Sequence, residues 1–504
     1  MSDTTQNLPR VITWKSGAFL GLTTIVGAFT TLGYMIGLVG AWAVIAIWMV
    51  SMGIAAAQAF LYAEMATMFP DTAGGVAAYA HEGFRRYTVF VGPIVSWGYW
   101  LGYSLVQAVI ALILGGVVQA QWFPSQTWGI DLFSVHIGLP HVIAAAALIS
   151  VYLLNVFGIR PAARVTTVGI ILFTVLVGVM VVVPFLSGDW SLARVTWHLS
   201  DWKLGMVLLY LACWTTFAVE GPSLFAPEYR EPGTDTPKAI RACALVMVAI
   251  FAIVPFAATG TIGDEAIAAN PSGYAVDVMN KVWSGSSSLV IAILAIGLWV
   301  TLVGTSAQAG RALLGISRSD LTIKQLSPLN KFGMPGRALT MDLAVNLLIV
   351  FLVGNTIAIV AASNFGYILC CGLACFAYVL LRRDRPGWPR PFRLSKAWTV
   401  VAVILGTVDV IIAAFGVTHP SLAGYGGVKE TVISLALILI CIPLFLIRRL
   451  WQDRSQPTVW REPTPHLPSD PEHLADQYAS VDELAALGDT STAEGRNKPV
   501  VPSE

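Results

Sequence analysis

The sequence has little charge. Only 12% of its 504 residues are charged, whereas soluble globular proteins have about 25%. Apolar residues make up 56% of the chain, more than a soluble domain of this length could bury but well suited to lipid. The net charge of +1 gives no general attraction to nucleic acid, and we expect no such partner. The composition therefore predicts an integral membrane protein surrounded by a lipid bilayer.

Sequence motifs of catalysis and metal binding are also absent. The chain contains no Gly-x4-Gly-Lys-Ser/Thr loop and no His-Glu-x2-His pair, and its seven histidines form no ligand pair inside an apolar segment. All six cysteines fall inside apolar segments, where a cysteine usually acts as a small packing residue. We therefore expect no enzymatic activity, no metal site and no cofactor.

Long uncharged segments are abundant instead. A helix needs about 20 apolar residues to cross roughly 30 Å of hydrocarbon. The chain contains twelve candidate segments, at 16–38, 41–68, 90–120, 140–157, 164–186, 204–226, 239–262, 287–312, 339–353, 355–381, 398–416 and 431–449. The sequence thus predicts an all-α integral membrane protein with about twelve transmembrane helices.

The distribution of basic residues predicts the orientation. With the N-terminus in the cytoplasm, all but four of the thirty Lys and Arg residues lie on the inner side. The four on the outer side are Arg194, Lys203, Lys281 and Lys429. Because positive charge concentrates in cytoplasmic loops, we expect both termini to be cytoplasmic in a multi-pass protein of the cell membrane. The polar, proline-containing segment 450–504 is expected to be a largely disordered cytoplasmic tail.

Two of the predicted spans carry similar interruptions. Span one holds Thr23-Thr24 followed by Gly27, and span six holds Thr215-Thr216 followed by Glu220-Gly221-Pro222. Transporters commonly bind solute where two helices are broken near the middle of the bilayer. The spacing suits two five-helix repeats, at 16–186 and 204–381, in which helices one and six correspond. A cytoplasmic segment 1–15 would precede them and two accessory helices at 398–449 would follow. Ordinary helix packing through small residues is the alternative.

Several polar residues inside or near the spans are candidates for function. A carboxylate inside a span is costly and usually faces a cavity or a partner, so Glu220 is expected to support the site. Glu64 and Glu228 lie nearer the cytoplasm, where we expect gating or ion pairs with inner arginines. Asp409 in span eleven is a weaker candidate. Thr305 and Ser306 in span eight would suit a sodium site, unless their hydroxyl groups bond back to their own helix.

Four segments together resemble the amino acid–polyamine–organocation permeases. Residues 63–79 read AEMATMFPDTAGGVAAY and are similar to the end of helix two in that family. Residues 228–240 resemble the junction of helices six and seven, and residues 311–320 the end of helix eight. The loop 385–392, RPGWPRPF, is similar to the one after helix ten. The four segments occur in the family's order.

The resemblance implies the LeuT-type fold, in which two inverted five-helix repeats are followed by two further helices. It also implies alternating access and an amino acid or related amine as solute. It places the solute at the breaks of helices one and six, where Trp214 or Phe217 would cover it. The residues expected to bind solute are Thr24, Val26, Gly27, Ala28, Tyr103, Trp214, Thr216, Phe217 and Ala218. In the family, a Gly-small-Gly break grips the carboxylate of the solute. Here one glycine stands in Val26-Gly27-Ala28-Phe29, so the solute can equally be an organic amine or cation without a carboxylate.

The sequence leaves open which ion is coupled to transport and whether the protein transports its solute or only senses it. Some proton-coupled relatives carry a lysine in helix five, and span five here has none. The resemblance therefore favours Na⁺ over H⁺, or no coupling ion. A membrane sensor that binds solute without transporting it would have the same sequence features, and the sequence leaves the oligomeric state open.

Overall fold

The computed structural model describes residues 8–132, 135–271, 273–352, 356–423, 428–454 and 460–464. These residues are almost entirely helical. The α-helices in chain order are α1 (Trp14–Leu22), α2 (Thr24–Val39), α3 (Ala41–Met68), α4 (Gly75–Phe84), α5 (Val91–Trp122), α6 (Leu139–Val156), α7 (Ile159–Ser187), α8 (Trp202–Thr216), α9 (Pro232–Ile262), α10 (Asp264–Ala269), α11 (Tyr274–Val282), α12 (Ser287–Arg318), α13 (Gly336–Leu352), α14 (Thr356–Asp384), α15 (Trp398–Thr418), α16 (Val428–Leu439) and α17 (Cys441–Leu446). A single described hairpin joins α5 to α6, with β1 (Gly129–Leu132) antiparallel to β2 (Val135–Gly138).

Each predicted span coincides with a helix. Ten helical segments are long and apolar enough to cross a membrane, and α1 and α2 together make one further, bent span. The remaining predicted span corresponds to α13, which has 17 described residues. The described residues therefore confirm an all-α membrane protein.

The two predicted interruptions are places where the helical geometry changes. Helix α1 ends at Leu22 and α2 begins at Thr24, and the segments Trp14–Val26 and Thr31–Val39 are bent by 45°. Helix α8 ends at Thr216 and continues as a 3₁₀ helix, Phe217–Glu228. Pro222 and Pro227 lie inside that segment, and neither can donate the main-chain hydrogen bond that an α-helix requires.

Small residues bring α14 close to α5. A Cβ atom added to Gly98 would lie 2.8 Å from the Cα of Gly366, and one added to Gly102 would lie 2.9 Å from the Cβ of Tyr367. Such short separations require glycine, which lets membrane helices approach closely. The packing places Tyr367 of α14 against the face of α5 that carries Tyr99 and Tyr103.

Candidate functional site

A buried carboxylate lies at the start of the 3₁₀ segment after α8. The side chain of Glu220 is fully buried. It accepts hydrogen bonds from the hydroxyl groups of Tyr99 at 2.5 Å, Tyr103 at 2.6 Å and Tyr367 at 2.8 Å. Ser223 donates a fourth hydrogen bond at 3.1 Å. Neutral donors therefore surround this carboxylate.

Three aromatic rings form the wall around Glu220. Tyr99 and Tyr103 are four residues apart on α5, so they share one face of that helix. Their ring centroids lie 5.3 Å apart, and Tyr367 is 5.7 Å from Tyr99 and 5.6 Å from Tyr103. None of the ion pairs among the described residues includes Glu220. An ionised carboxylate is costly to keep in a dry environment without a cation, so Glu220 is poised to receive a proton or a positively charged group.

A small cavity lies beside this cluster, between the two changes in helical geometry. Its volume is about 20 Å³, which is room for about one water molecule. The side chains and backbone that line it are those of Thr24, Gly102, Tyr103, Val106, Ile110, Trp214, Thr215, Ala218, Thr301, Thr305 and Tyr367. Tyr103 and Tyr367 thus separate the cavity from the carboxylate of Glu220.

Four of the residues expected to bind solute line this cavity, namely Thr24, Tyr103, Trp214 and Ala218. Three others are buried elsewhere and do not line it. Val26 packs toward Gly297 of α12, the Thr216 hydroxyl lies 2.5 Å from that of Ser51 on α3, and Phe217 is enclosed in the core. Gly27 and Ala28 lie in α2, but the surroundings of these two residues are outside what the structure describes.

The sequence missed most of the cavity wall. Thr215 stands next to a predicted residue, and its buried hydroxyl has no partner among the described residues. Thr301 lies one turn before Thr305, which the sequence indicated as a possible sodium ligand, and this spacing is a signal that could have been used. Tyr367 carries no local signal, because its position depends on the close approach of α14 to α5.

The predicted sodium residues lie next to each other in α12, and both are buried. The Thr305 hydroxyl donates to the main-chain oxygens of Thr301 at 2.8 Å and Leu302 at 3.3 Å. This back-bonding is the alternative that the sequence allowed. A sodium site at Thr305 and Ser306 stays a prediction.

Side chains of α12 satisfy the carbonyl groups at the break between α1 and α2. The main-chain oxygen of Thr23 accepts a hydrogen bond from the Thr301 hydroxyl at 2.7 Å. That of Leu20 accepts one from the Thr23 hydroxyl at 2.8 Å and one from the Gln308 amide at 3.4 Å. Irregular backbone is tolerated in a membrane where protein groups provide such partners. The break is therefore held by α12.

Glu64 and Glu228, the two carboxylates expected to act in gating or ion pairing, both form ion pairs with arginine. Glu228 and Arg311 are fully buried, with Arg311 Nη2 2.9 Å from Glu228 Oε2 and Nε also bonded to Oε1. Arg382 donates to both oxygens of Glu64, at 3.0 and 2.7 Å. The Tyr378 hydroxyl adds a hydrogen bond to Glu64 at 2.9 Å. These pairs tie the 3₁₀ segment to α12, and α3 to α14.

Interrupted membrane helices around a central cavity define a class of membrane protein, the secondary transporters. Sequence comparison identifies the family: the model of the amino acid permease family matches residues 12–447, and the chain belongs to that family. It is therefore a transporter of the amino acid–polyamine–organocation group, as its sequence motifs indicated, and not an enzyme.

The chain is also similar to individual transporters along most of its length. A transporter of Mycobacterium tuberculosis is 24% identical over 420 residues, which cover 80% of this chain and 83% of the relative. An arginine/agmatine antiporter of Chlamydia pneumoniae is 23% identical over 405 residues, 76% of this chain and 78% of the relative. A polyamine transporter of Oryza sativa is 24% identical over 432 residues, 80% of this chain and 73% of the relative.

Proposed function

We propose that this permease carries an amino acid or related amine by alternating access, with the solute between the breaks of the first and sixth spans. The observation that carries the proposal is the position of the cavity. It touches Thr24 of α2, Thr215 of α8 and Ala218 of the 3₁₀ segment, next to the buried carboxylate of Glu220. Broken helices expose main-chain groups that can bind the polar ends of a small solute.

Glu220 is the group in this proposal that recognises the amine. Its carboxylate is separated from the cavity by Tyr103 and Tyr367, which line the cavity and donate to Glu220. A rotation of either tyrosine would expose a negative oxygen to an ammonium group. The aromatic rings would add cation–π attraction. The similarity to an arginine/agmatine antiporter and to a polyamine transporter supports a solute with at least one amino group.

The conformation described here is closed around the site. A cavity of about 20 Å³ is too small for an amino acid, so the helices must separate to load it. We propose that the ion pairs Glu228–Arg311 and Glu64–Arg382 hold the cytoplasmic side shut.

The proposal also covers the organisation of the chain. It includes the repeats 16–186 and 204–381, the accessory helices 398–449, both termini in the cytoplasm and a location in the cell membrane.

The test is solute-induced thermal stabilisation of the purified protein. The panel contains amino acids, amines such as agmatine and polyamines, and amino acids with the carboxylate blocked, each with and without sodium. We expect stabilisation by compounds that carry a free amino group. Stabilisation by blocked compounds would assign recognition to the amine alone. No stabilisation by any amine would contradict the proposal.

The substitution Glu220→Gln tests the amine-binding role. The amide keeps nearly the same shape but removes the negative charge, and a hydrogen bond to a charged group contributes about 1.5–3 kcal/mol. We expect the affinity for the stabilising amine to fall about 10- to 100-fold. Glu265, an exposed carboxylate in α10, provides the control Glu265→Gln, which should bind normally. Unchanged affinity in Glu220→Gln would contradict this role.

A further inference from the structure

A further buried carboxylate without a cation does not line the central cavity. Asp409 is fully buried in α15. It is eleven residues from the start of this helix, Trp398, which places it about 16 Å along the helix and near the middle of the membrane. Neither the cavity nor the inner ion pairs involve Asp409.

Asp409 connects α15 to α3 through one short hydrogen bond. The amide nitrogen of Gln58 donates to Asp409 Oδ2 at 2.6 Å, and both side chains are fully buried. The backbone of α14 closes the remaining side, because a Cβ atom added to Gly372 would lie 3.0 Å from the Cβ of Asp409.

The groups that face Asp409 carry no positive charge. The titratable side chains around it are Tyr62 of α3, Cys213 of α8, and Cys371 and Cys375 of α14. Within the described part of the chain, no Lys, Arg or His forms an ion pair with Asp409. An ionised carboxylate here would be a buried charge with one neutral donor and no cation, which is among the most costly arrangements in a membrane protein.

Two oxygen atoms of Asp409 and Gln58 have no hydrogen-bond donor among the described residues. Asp409 Oδ1 and Gln58 Oε1 are both buried acceptors, and neither has a partner among the described residues. A buried acceptor without a hydrogen bond is unfavourable. One proton on Asp409 removes the negative charge and also supplies a donor to this pair, as in an acid–amide pair with two hydrogen bonds.

We propose that Asp409 and Gln58 form a proton-binding site in the middle of the membrane, and that the bound proton stabilises the contact between α3 and α15. The site is separate from the central cavity and does not depend on the identity of the solute. Movement of α3 away from α15 breaks the hydrogen bond and exposes the carboxyl group. The contact between the two helices is therefore linked to proton occupancy.

The direct test is infrared spectroscopy of the purified full-length protein at neutral pH, without solute. A protonated carboxylic acid has a carbonyl band well separated from the two bands of a carboxylate. We expect the difference spectrum of wild type and Asp409→Asn to show loss of the acid band. Gln58→Met should keep this band but shift it, because the amide donor is gone. Loss of carboxylate bands in Asp409→Asn would overturn the proposal.

The pH dependence of stability provides a second, independent measurement. Asp409→Asn carries an amide that needs no proton and keeps the ability to pair with Gln58. As pH rises from 7 to about 9, the wild type must retain its proton at increasing free-energy cost. We expect the melting temperature of the wild type to fall more steeply over this range than that of Asp409→Asn. A control, Asp277→Asn, alters a carboxylate outside the membrane spans and should follow the wild type. Parallel curves for wild type and Asp409→Asn would overturn the proposal.

Discussion

The buried carboxylates of the described chain have two kinds of partner. Glu64 and Glu228 lie near the ends of their helical segments and pair with arginine. Glu220 and Asp409 lie deeper and have only neutral donors. Long arginine side chains can reach a site near the membrane surface while their own charge stays compensated. Glu220 and Asp409 are therefore buried carboxylates whose charge no basic residue of the described chain compensates.

Removal of one partner from the ion pair of Glu228 and Arg311 should be strongly destabilising. Both side chains are almost completely inaccessible, at 0% and 1% exposed. Arg311→Ala leaves a buried carboxylate without its partner, so we expect the free energy of unfolding to fall by about 3–5 kcal/mol. Thermal unfolding of the purified protein would measure the change.

An exposed ion pair offers a matched control. Arg10 and Asp71 are 53% and 70% exposed, and exposed pairs contribute at most about 1 kcal/mol. Arg10→Ala should therefore have little effect. If Arg10→Ala and Arg311→Ala destabilised the protein equally, the buried pair would not have the importance given to it here.

His81 predicts how the stability of the protein changes as pH falls. It lies in α4, outside the membrane spans, and burial lowers the pKa of its imidazole. The nearby charges act in both directions: Arg85 and Arg385 lower this pKa further, whereas Glu82 and Glu462 raise it. The folded protein therefore keeps His81 neutral, while the unfolded chain takes up a proton below about pH 6.5. Stability should decrease as pH drops from 7 to 5.

The measurement is the melting temperature of wild type and His81→Gln across this pH range. We expect the variant to lose less stability than the wild type on acidification. His136→Gln, which changes a histidine with a side chain 65% exposed, should behave as the wild type. An identical pH profile for wild type and His81→Gln would show that His81 does not govern this response.

At the scale of helices, the interruptions were predictable but the orientation of their side chains was not. Thr23-Thr24 and Gly221-Pro222 mark the changes in geometry because hydroxyl groups, glycine and proline act locally on the backbone. Which side chain faces the cavity depends on how each helix is rotated against its neighbours. Val26 and Thr216 consequently point to α12 and α3 instead.

The contact between α12 and the first break can be tested with Thr301→Val. The substitution keeps the shape but removes the donor to the Thr23 carbonyl, and an unsatisfied buried acceptor costs about 1–3 kcal/mol. We expect a loss of stability of that size, measured by thermal unfolding. Thr174 of α7 bonds only to its own helix, so Thr174→Val is the control and should be nearly neutral. A neutral Thr301→Val would mean that another group holds the break.

At the scale of the whole molecule, the fold was largely predictable from the sequence. Lipid allows only structures that satisfy their own backbone hydrogen bonds, so each long apolar segment had to become a helix. The central cavity was less predictable because Tyr99, Tyr103 and Tyr367 come together only when α5 and α14 pack through Gly98 and Gly366. The closed state of the site depends on the packing of all helices together, which no local segment encodes.

Transport of solute across a membrane tests the central claim most directly. The purified protein would be reconstituted into liposomes loaded with an amine or amino acid that stabilises it, and uptake of the same labelled solute would be followed against empty liposomes and against Glu220→Gln. We predict saturable uptake that requires the protein and is strongly reduced in Glu220→Gln. Binding of the solute without any uptake would contradict transport and assign the protein to the class of membrane sensors.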